Sequence, residues 1–152
     1  METIRITKAE QFTPELTPII QGFLKQLSDQ PFPFDDQALQ ELLADSNSHL
    51  FLLQSNEKTI GMLTVGIYYS PTGGKAWIED VVVDEDYRGK GYSKLLVAHA
   101  IEYIKQCKVP LLMLTSSPQR IAANQLYQRV GFEQKPTNVY RMAPCATDSE
   151  PK

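Results

Sequence analysis

Cysteine is scarce in this chain: Cys107 and Cys145 are the only two, they stand far apart, and neither falls in a CxxC or Cys/His spacing that suits zinc. No metal centre is expected, and a reducing compartment is the default. Long apolar runs are also missing, since no stretch approaches the roughly 20 residues of a membrane span. The opening METIRITKAEQF alternates charged and apolar residues instead of following a basic stretch with an apolar one. Neither a membrane span nor a secretory signal is legible, so the cytoplasm is the expected address. An excess of positive charge is absent too: 15 Lys and Arg stand against 18 Asp and Glu, a formal net charge of -3. The broad basic surface of a nucleic-acid binder is therefore not expected, and any anion site has to be local.

What is present is an ordinary globular composition, 42% hydrophobic and 22% charged, in a chain long enough to bury roughly two thirds of its unfolded surface. Ile4 and Ile6 alternate with polar neighbours as a short strand does. Leu16, Ile19, Ile20, Phe23, Leu24 and Leu27 then recur at helical spacing, with Thr13 as N-cap and Pro14 in the first turn. Gln30 to Phe34 breaks that helix and offers a substrate loop, and Asp35 caps a second helix carrying Ala38, Leu39, Leu42 and Leu43. His49 to Leu53, Ile60 to Tyr69 and Ala76 to Val83 read as an antiparallel meander, with turns at Ser55 to Lys58 and Pro71 to Gly74.

After Gly91 the period becomes helical again, through Ser93, Leu96, Val97, Ala100, Ile101 and Ile104 to about Cys107. Leu111 to Thr115 suits a buried strand, Ser117 with Pro118 opens a helix that Gly131 closes, and Phe132 and Val139 to Met142 suggest two closing strands. The expected order is β α α β β β α β α β β, with a right-handed βαβ crossover in the second half. One α/β (α+β) domain over residues 1–143 and a frayed tail over 144–152 complete the reading.

The segment Ile78 to Leu96, IEDVVVDEDYRGKGYSKLL, carries the chemistry. An apolar strand, a turn with Gly89 and Gly91, and an amphipathic helix follow without a gap. The first turn of a helix leaves backbone N–H groups unpaired at the positive end of the macrodipole, and glycine lets a ligand approach them, so the turn suits a pyrophosphate. Arg88 and Lys90 add side-chain charge. The same residues also fit a plain glycine turn with solvated cations, but two rival motifs fail outright. Lys94 stands where a dinucleotide-binding GxGxxG needs glycine, and neither Gly-Lys pair is followed by Ser or Thr as a P-loop requires.

The run Arg88-Gly89-Lys90-Gly91-Tyr92-Ser93 resembles motif A, [RQ]xxGx[GA], of the acetyl-CoA-dependent N-acetyltransferase superfamily called GNAT, with Ser93 in place of the final small residue. IAANQLYQRVGF, Ile121 to Phe132, is similar to its motif B. The resemblance implies a mixed, mainly antiparallel sheet of six to seven strands, about four helices and a βαβ core that binds acetyl-CoA. It implies that Val81, Val82 and Val83 pair with the pantetheine arm and that the Val82 N–H donates to the thioester carbonyl. It further implies that Arg88 to Ser93 holds the pyrophosphate and that Tyr127 protonates the leaving thiolate. Family members often carry Asn seven residues before this tyrosine. Here that position is Arg120, while Asn124 lies one turn away, so either is a candidate for the cofactor contact. Within the superfamily IEDVVVDEDYRGKG looks especially similar to glucosamine-phosphate and aminoalkylphosphonate N-acetyltransferases, over too short a stretch to assign a substrate.

By period 2, Glu79 shares a face with Trp77, Val81 and Val83, and Asp80 takes the other. Glu79 is the expected general base, through water, with Asp80 the alternative; solvated carboxylates or an ammonium site fit the pair equally. Tyr127 also fits a core aromatic with Ala123 and Val130. Acceptor walls are expected at Phe32 to Asp36, at Tyr68 to Ser70 and near Tyr140 and Arg141, where Arg141 offers a partner for an acidic group. His49 and His99 read as structural, and Cys107, at a helix C-terminal end, is no nucleophile. The expected function is acetyl transfer from acetyl-CoA to a primary amine of a small molecule by direct attack. An acetyltransferase of protein amines and a non-catalytic acyl-CoA-binding module are the alternatives, and homodimerisation is left open.

Overall fold

The computed structural model describes residues 1–145; the expected tail falls mostly on residues 146–152, outside the described residues. The chain forms β1 (Ile4–Lys8), α1 (Leu16–Leu27), α2 (Asp36–Ala44), β2 (Ser48–Ser55), β3 (Lys58–Ser70), β4 (Gly73–Val83), α3 (Tyr92–Cys107), β5 (Leu112–Met113) and α4 (Ile121–Arg129). The strands form one sheet in the order β1-β2-β3-β4-β5. The first four run antiparallel, and β5 joins β4 in parallel across the α3 crossover.

Helices cover both faces of this sheet, which explains the run Leu50 to Leu53, apolar at every position. Phe51 and Leu53 join Leu63, Val65, Ile78 and the α3 residues Leu96, Val97 and Ala100 in one cluster. Leu50 and Leu52 join Met62, Val82, Leu39 of α2 and the α1 stripe Leu16, Ile20 and Phe23 in the other. A strand buried on both sides loses the polar alternation of a half-exposed one. Among the described residues no helix is long and apolar enough to cross a membrane.

Asp35 caps α2, its side chain accepting the Ala38 N–H at 2.9 Å. Asp35→Ala is expected to destabilise the fold by about 1 kcal/mol in urea denaturation, because one first-turn amide loses its acceptor. Thr13, by contrast, does not cap α1 with its hydroxyl: the helix starts at Leu16, whose N–H meets the Thr13 carbonyl in a preceding turn. Ser117 and Pro118 likewise lie before α4, which opens at Ile121, and the Ser117 carbonyl accepts from the Arg120 N–H.

The sheet has five strands among the described residues, not six to seven. Phe132 and Val139 to Met142 form no strand, and Tyr140 is 87% exposed. Alternation specifies a strand only where a sheet edge offers partners, and the two-residue β5 offers little edge. The expected strand Leu111 to Thr115 is reduced to Leu112–Met113 because it meets β4 only at Ala76 and Trp77 before the two part.

Candidate functional site

The site begins at the bulge in β4. Thr64 pairs with Glu79 and Met62 with Val82, so Asp80 and Val81 together face Leu63 alone. Asp80 takes the left-handed conformation, φ 52°. A Cβ on Gly61 would stand 2.8 Å from the Val82 carbonyl oxygen, so the close strand approach beside the bulge requires glycine.

One inserted residue shifts the phase of the strand. Ala76, Ile78 and Val83 pack in the α3 cluster and Val81 packs against it, whereas Val82 packs with α1 and α2. Glu79 therefore shares its face with Trp77 but not with Val81 and Val83, correcting the strict period-2 expectation. Asp80 is not sent to the opposite face either, since it lines a recess with Leu24 of α1 and the Phe32 to Phe34 loop. Adjacent carboxylates thus come to lie near one another. Both reach solvent, yet enough protein surrounds them to disfavour charge. Burial raises the Glu79 pKa, with repulsion from Asp80 adding to it, and burial raises that of Asp80.

The opposite edge of β4 is free beyond the bulge. β5 pairs only with Ala76 and Trp77, so the strands part from Ile78 onward. The Asp84 N–H donates to the Ile60 carbonyl at 2.7 Å. Ladder alternation then turns the Val82 main chain toward β3 and leaves Val81 and Val83 facing the gap. Val82 is accordingly not placed to donate its N–H to a thioester in that gap. Val81 is.

Past Val83, the Asp84 side chain accepts the Asp86 N–H at 3.0 Å and starts a short 3-10 turn over Glu85–Tyr87. Gly89 and Gly91 both take φ 80°, with open space where a Cβ would sit, so glycine is needed here for its conformation and not for room. Gly91 is the N-cap of α3, and the first intrahelical bond runs from the Leu95 N–H to the Gly91 carbonyl. The amides of Tyr92, Ser93 and Lys94 have no intrahelical acceptor, which leaves the kind of donors that an anion can use.

A groove of about 1020 Å3 runs from this turn past Val81, Val82 and Val83 to α4. Arg88, Gly89, Gly91 and Ser93 line it; Lys90 does not, although its ammonium lies 5.4 Å from the ring centroid of Tyr87, which does. The Arg88 Nε donates to the Val83 carbonyl at 3.1 Å, so this cation braces the turn as well as facing the groove. Gln26 of α1 joins the brace by accepting the Glu85 N–H at 2.9 Å. The Tyr92 hydroxyl donates to Glu2 at 3.0 Å beneath the turn. That carboxylate is held below its usual range by hydrogen bonds from Ser55 and then Tyr92, with Lys90 assisting. Gln26 and Glu2 carry no motif and are far away in the chain, so nothing in the sequence pointed to them.

Tyr127 stands on the wall across the groove, 7% exposed, with its ring edge-on to Phe132 at 6.1 Å. It belongs to the core cluster and to the groove at once. Burial raises its pKa while Arg120 pulls it back, which keeps the phenol protonated at neutral pH. Arg120 lines the groove, and the Asn124 amide instead donates to the Ser117 carbonyl at 3.0 Å. Tyr140 and Arg141 line neither cavity. His49 meets the Tyr103 hydroxyl at 3.1 Å and His99 packs edge-on to Phe51, both away from the groove.

These features define a class: an α/β protein whose parted strands admit an extended ligand, with free amides along β4 for its body and a glycine turn for its phosphates. The residues present fit coenzyme A in that groove. The sequence profile of the Acetyltransferase (GNAT) family matches residues 16–132, and the chain belongs to that family.

Among its relatives is an uncharacterised N-acetyltransferase of Methanocaldococcus jannaschii, 29% identical over 97 residues, which are 62% of this chain and 43% of the relative. The chain spans about half the length of the first curated relatives it matches. Among solved structures, an Agrobacterium tumefaciens protein provisionally assigned as an acetyltransferase superposes with a TM-score of 0.81 at 24% identity, over 91% of this chain and 99% of that one. An aminoglycoside N-acetyltransferase in complex with CoA gives 0.76 at 18% identity, over 95% and 97%.

Proposed function

We propose that this chain transfers the acetyl group of acetyl-CoA to a primary amine of a small molecule, by direct attack. The observation behind this reading is the single groove that carries the glycine turn, the free edge of β4 and the protonated Tyr127, and meets the carboxylate-bearing bulge of β4. Acetyl-CoA supplies the activated acyl group. The amides of Tyr92, Ser93 and Lys94 hold its pyrophosphate, with Arg88, Gly89 and Gly91 shaping the turn. Val81 and Val83 pair with the pantetheine arm, and the Val81 N–H polarises the thioester carbonyl. Arg120 serves the cofactor wall in place of Asn124.

Glu79 takes a proton through water from the acceptor's ammonium, and Asp80 holds that ammonium in place. The amine nitrogen then forms the C–N bond as the C–S bond breaks. The sulfur leaves with the electron pair and receives the Tyr127 proton, and the excess proton left on the acylated nitrogen passes through solvent to restore the phenol, giving an amide, a free thiol and, from Glu79, one proton released overall. Thiol release from acetyl-CoA against an amine panel tests the reading. Tight CoA binding with no turnover would point instead to a binding module.

The raised carboxyls give a pH test with a definite sign. Groups protonated more readily in the folded chain contribute stability below the ordinary carboxylate range and lose it as pH rises through the raised value. Asp80→Asn is therefore expected to melt higher than wild type at neutral pH and to lose that advantage near about pH 4. Its loss of repulsion also lowers the Glu79 pKa, moving the acid limb of the Glu79-dependent rate to lower pH. Thermal melts and a pH–rate profile check both parts.

A further inference from the structure

A recess lies under the α1–α2 loop, on the side of the bulge that faces α1 and α2. It holds about 200 Å3, below the roughly 300–1,000 Å3 of pockets for drug-sized ligands. Its walls are Leu24, Phe32, Pro33, Phe34 and Asp80, with no lysine or arginine among them. The loop is not loose: the Gln21 side-chain amide donates to the Phe34 carbonyl at 2.7 Å, and Asp35 is committed to its cap. Phe32 nevertheless keeps 46% of its surface exposed beside a carboxylate, an expense of apolar area that a bound apolar group would recover.

Further along the same face, Trp77 lies two residues from Glu79, roughly 7 Å along the strand. Its Nε1–H approaches the Tyr68 hydroxyl at 3.4 Å, and Tyr68 is 48% exposed. Gly66 pairs with Trp77, and nothing lies within 4 Å of where its Cβ would be, so the surface there is open. The cation on this stretch, Lys75, is held by the Ser70 and Thr72 hydroxyls and lies 5.9 Å from the Tyr68 ring centroid. It opposes a second positive charge and is already engaged by neutral partners.

We infer that the acceptor is a compact primary monoamine with an apolar or aromatic body and no anionic group, its ammonium against Asp80 and its body against Phe32 and Phe34. This rests on the acetyl-transfer reading. A sugar phosphate finds no cation in the recess, a polyamine meets Lys75 at its far end, and a multi-ring aminoglycoside exceeds the volume. With one carboxylate used as base, a single carboxylate remains for a single ammonium, whose contact with the aromatic faces is favourable.

The test compares thiol release with 2-phenylethylamine, spermidine and glucosamine 6-phosphate, using the full chain and acetyl-CoA. The expected kcat/KM for 2-phenylethylamine is about tenfold or more above each of the others. Phe32→Ala should reduce that value by about fivefold, mainly through KM, with CoA affinity by calorimetry unchanged. Phe32→Arg should shift the preference toward glucosamine 6-phosphate. Preference of the wild type for spermidine or glucosamine 6-phosphate, or no loss on Phe32→Ala, overturns the inference alone. Absence of thiol release with all three amines despite CoA binding overturns the acetyl-transfer reading beneath it.

Discussion

Tyr127→Phe is expected to lower kcat by about 10²–10⁴-fold, the range associated with losing a positioned proton donor. The substitution keeps the ring that packs on Phe132 and the α3 cluster. Folding and coenzyme A affinity should therefore stay close to wild type, which separates lost chemistry from lost structure. Because burial holds the phenol above its ordinary range, the alkaline limb of the wild-type profile should lie high, and it should vanish in the variant. Single-turnover thiol release with calorimetric CoA titration reads both quantities. A variant with unchanged kcat would return Tyr127 to the purely packing role that its burial also allows.

Gly91→Val should raise the dissociation constant of coenzyme A by about 10–100-fold. A β-branched residue held in the left-handed region costs about 1–3 kcal/mol, and roughly 1.4 kcal/mol corresponds to a factor of ten. No neighbour lies within 4 Å of the added Cβ, so the effect comes from the φ of 80° and not from a clash. The chain relieves that strain by rotating the turn, which withdraws the Tyr92, Ser93 and Lys94 amides from the pyrophosphate. Gly22→Ala, in α1 with equally open space, is the control for a change of glycine without a change of turn. Equal CoA affinity in wild type and Gly91→Val would remove this turn from the binding site.

Local periodicity placed α1, α2 and α3 correctly because each buries one stripe against the sheet, and the spacing of Leu16 to Leu27 records which stripe. Motif spacing placed the glycine turn between β4 and α3 because that chemistry depends on a conformation only glycine adopts readily. The closing strands were misread for the reverse reason. Val139 to Met142 has the composition of a strand but no edge to pair with.

At the site the division falls at Asp80. A strict strand period separates it from Glu79, yet the register slip between Met62 and Thr64 opposite them brings the two carboxylates together. No pattern within IEDVVVDED encodes that slip, since it depends on how β3 lies against β4. The same slip leaves the main chain of Val81, and not that of Val82, facing the gap between β4 and β5. Lys90 and Asn124 carry suitable chemistry, but each is engaged by a near neighbour in the chain, Tyr87 and Ser117, through local geometry that no motif spacing records.

The sequence alone determined the family-like turn, the order of helices and strands up to β5, and the identity of the groups able to move protons, because each is written in consecutive residues. Only the tertiary structure decided which of those groups share a face, which amides remain free and how small the recess beside Asp80 is. Those properties belong to pairs of segments far apart in the chain, and strand register and helix packing fix them jointly.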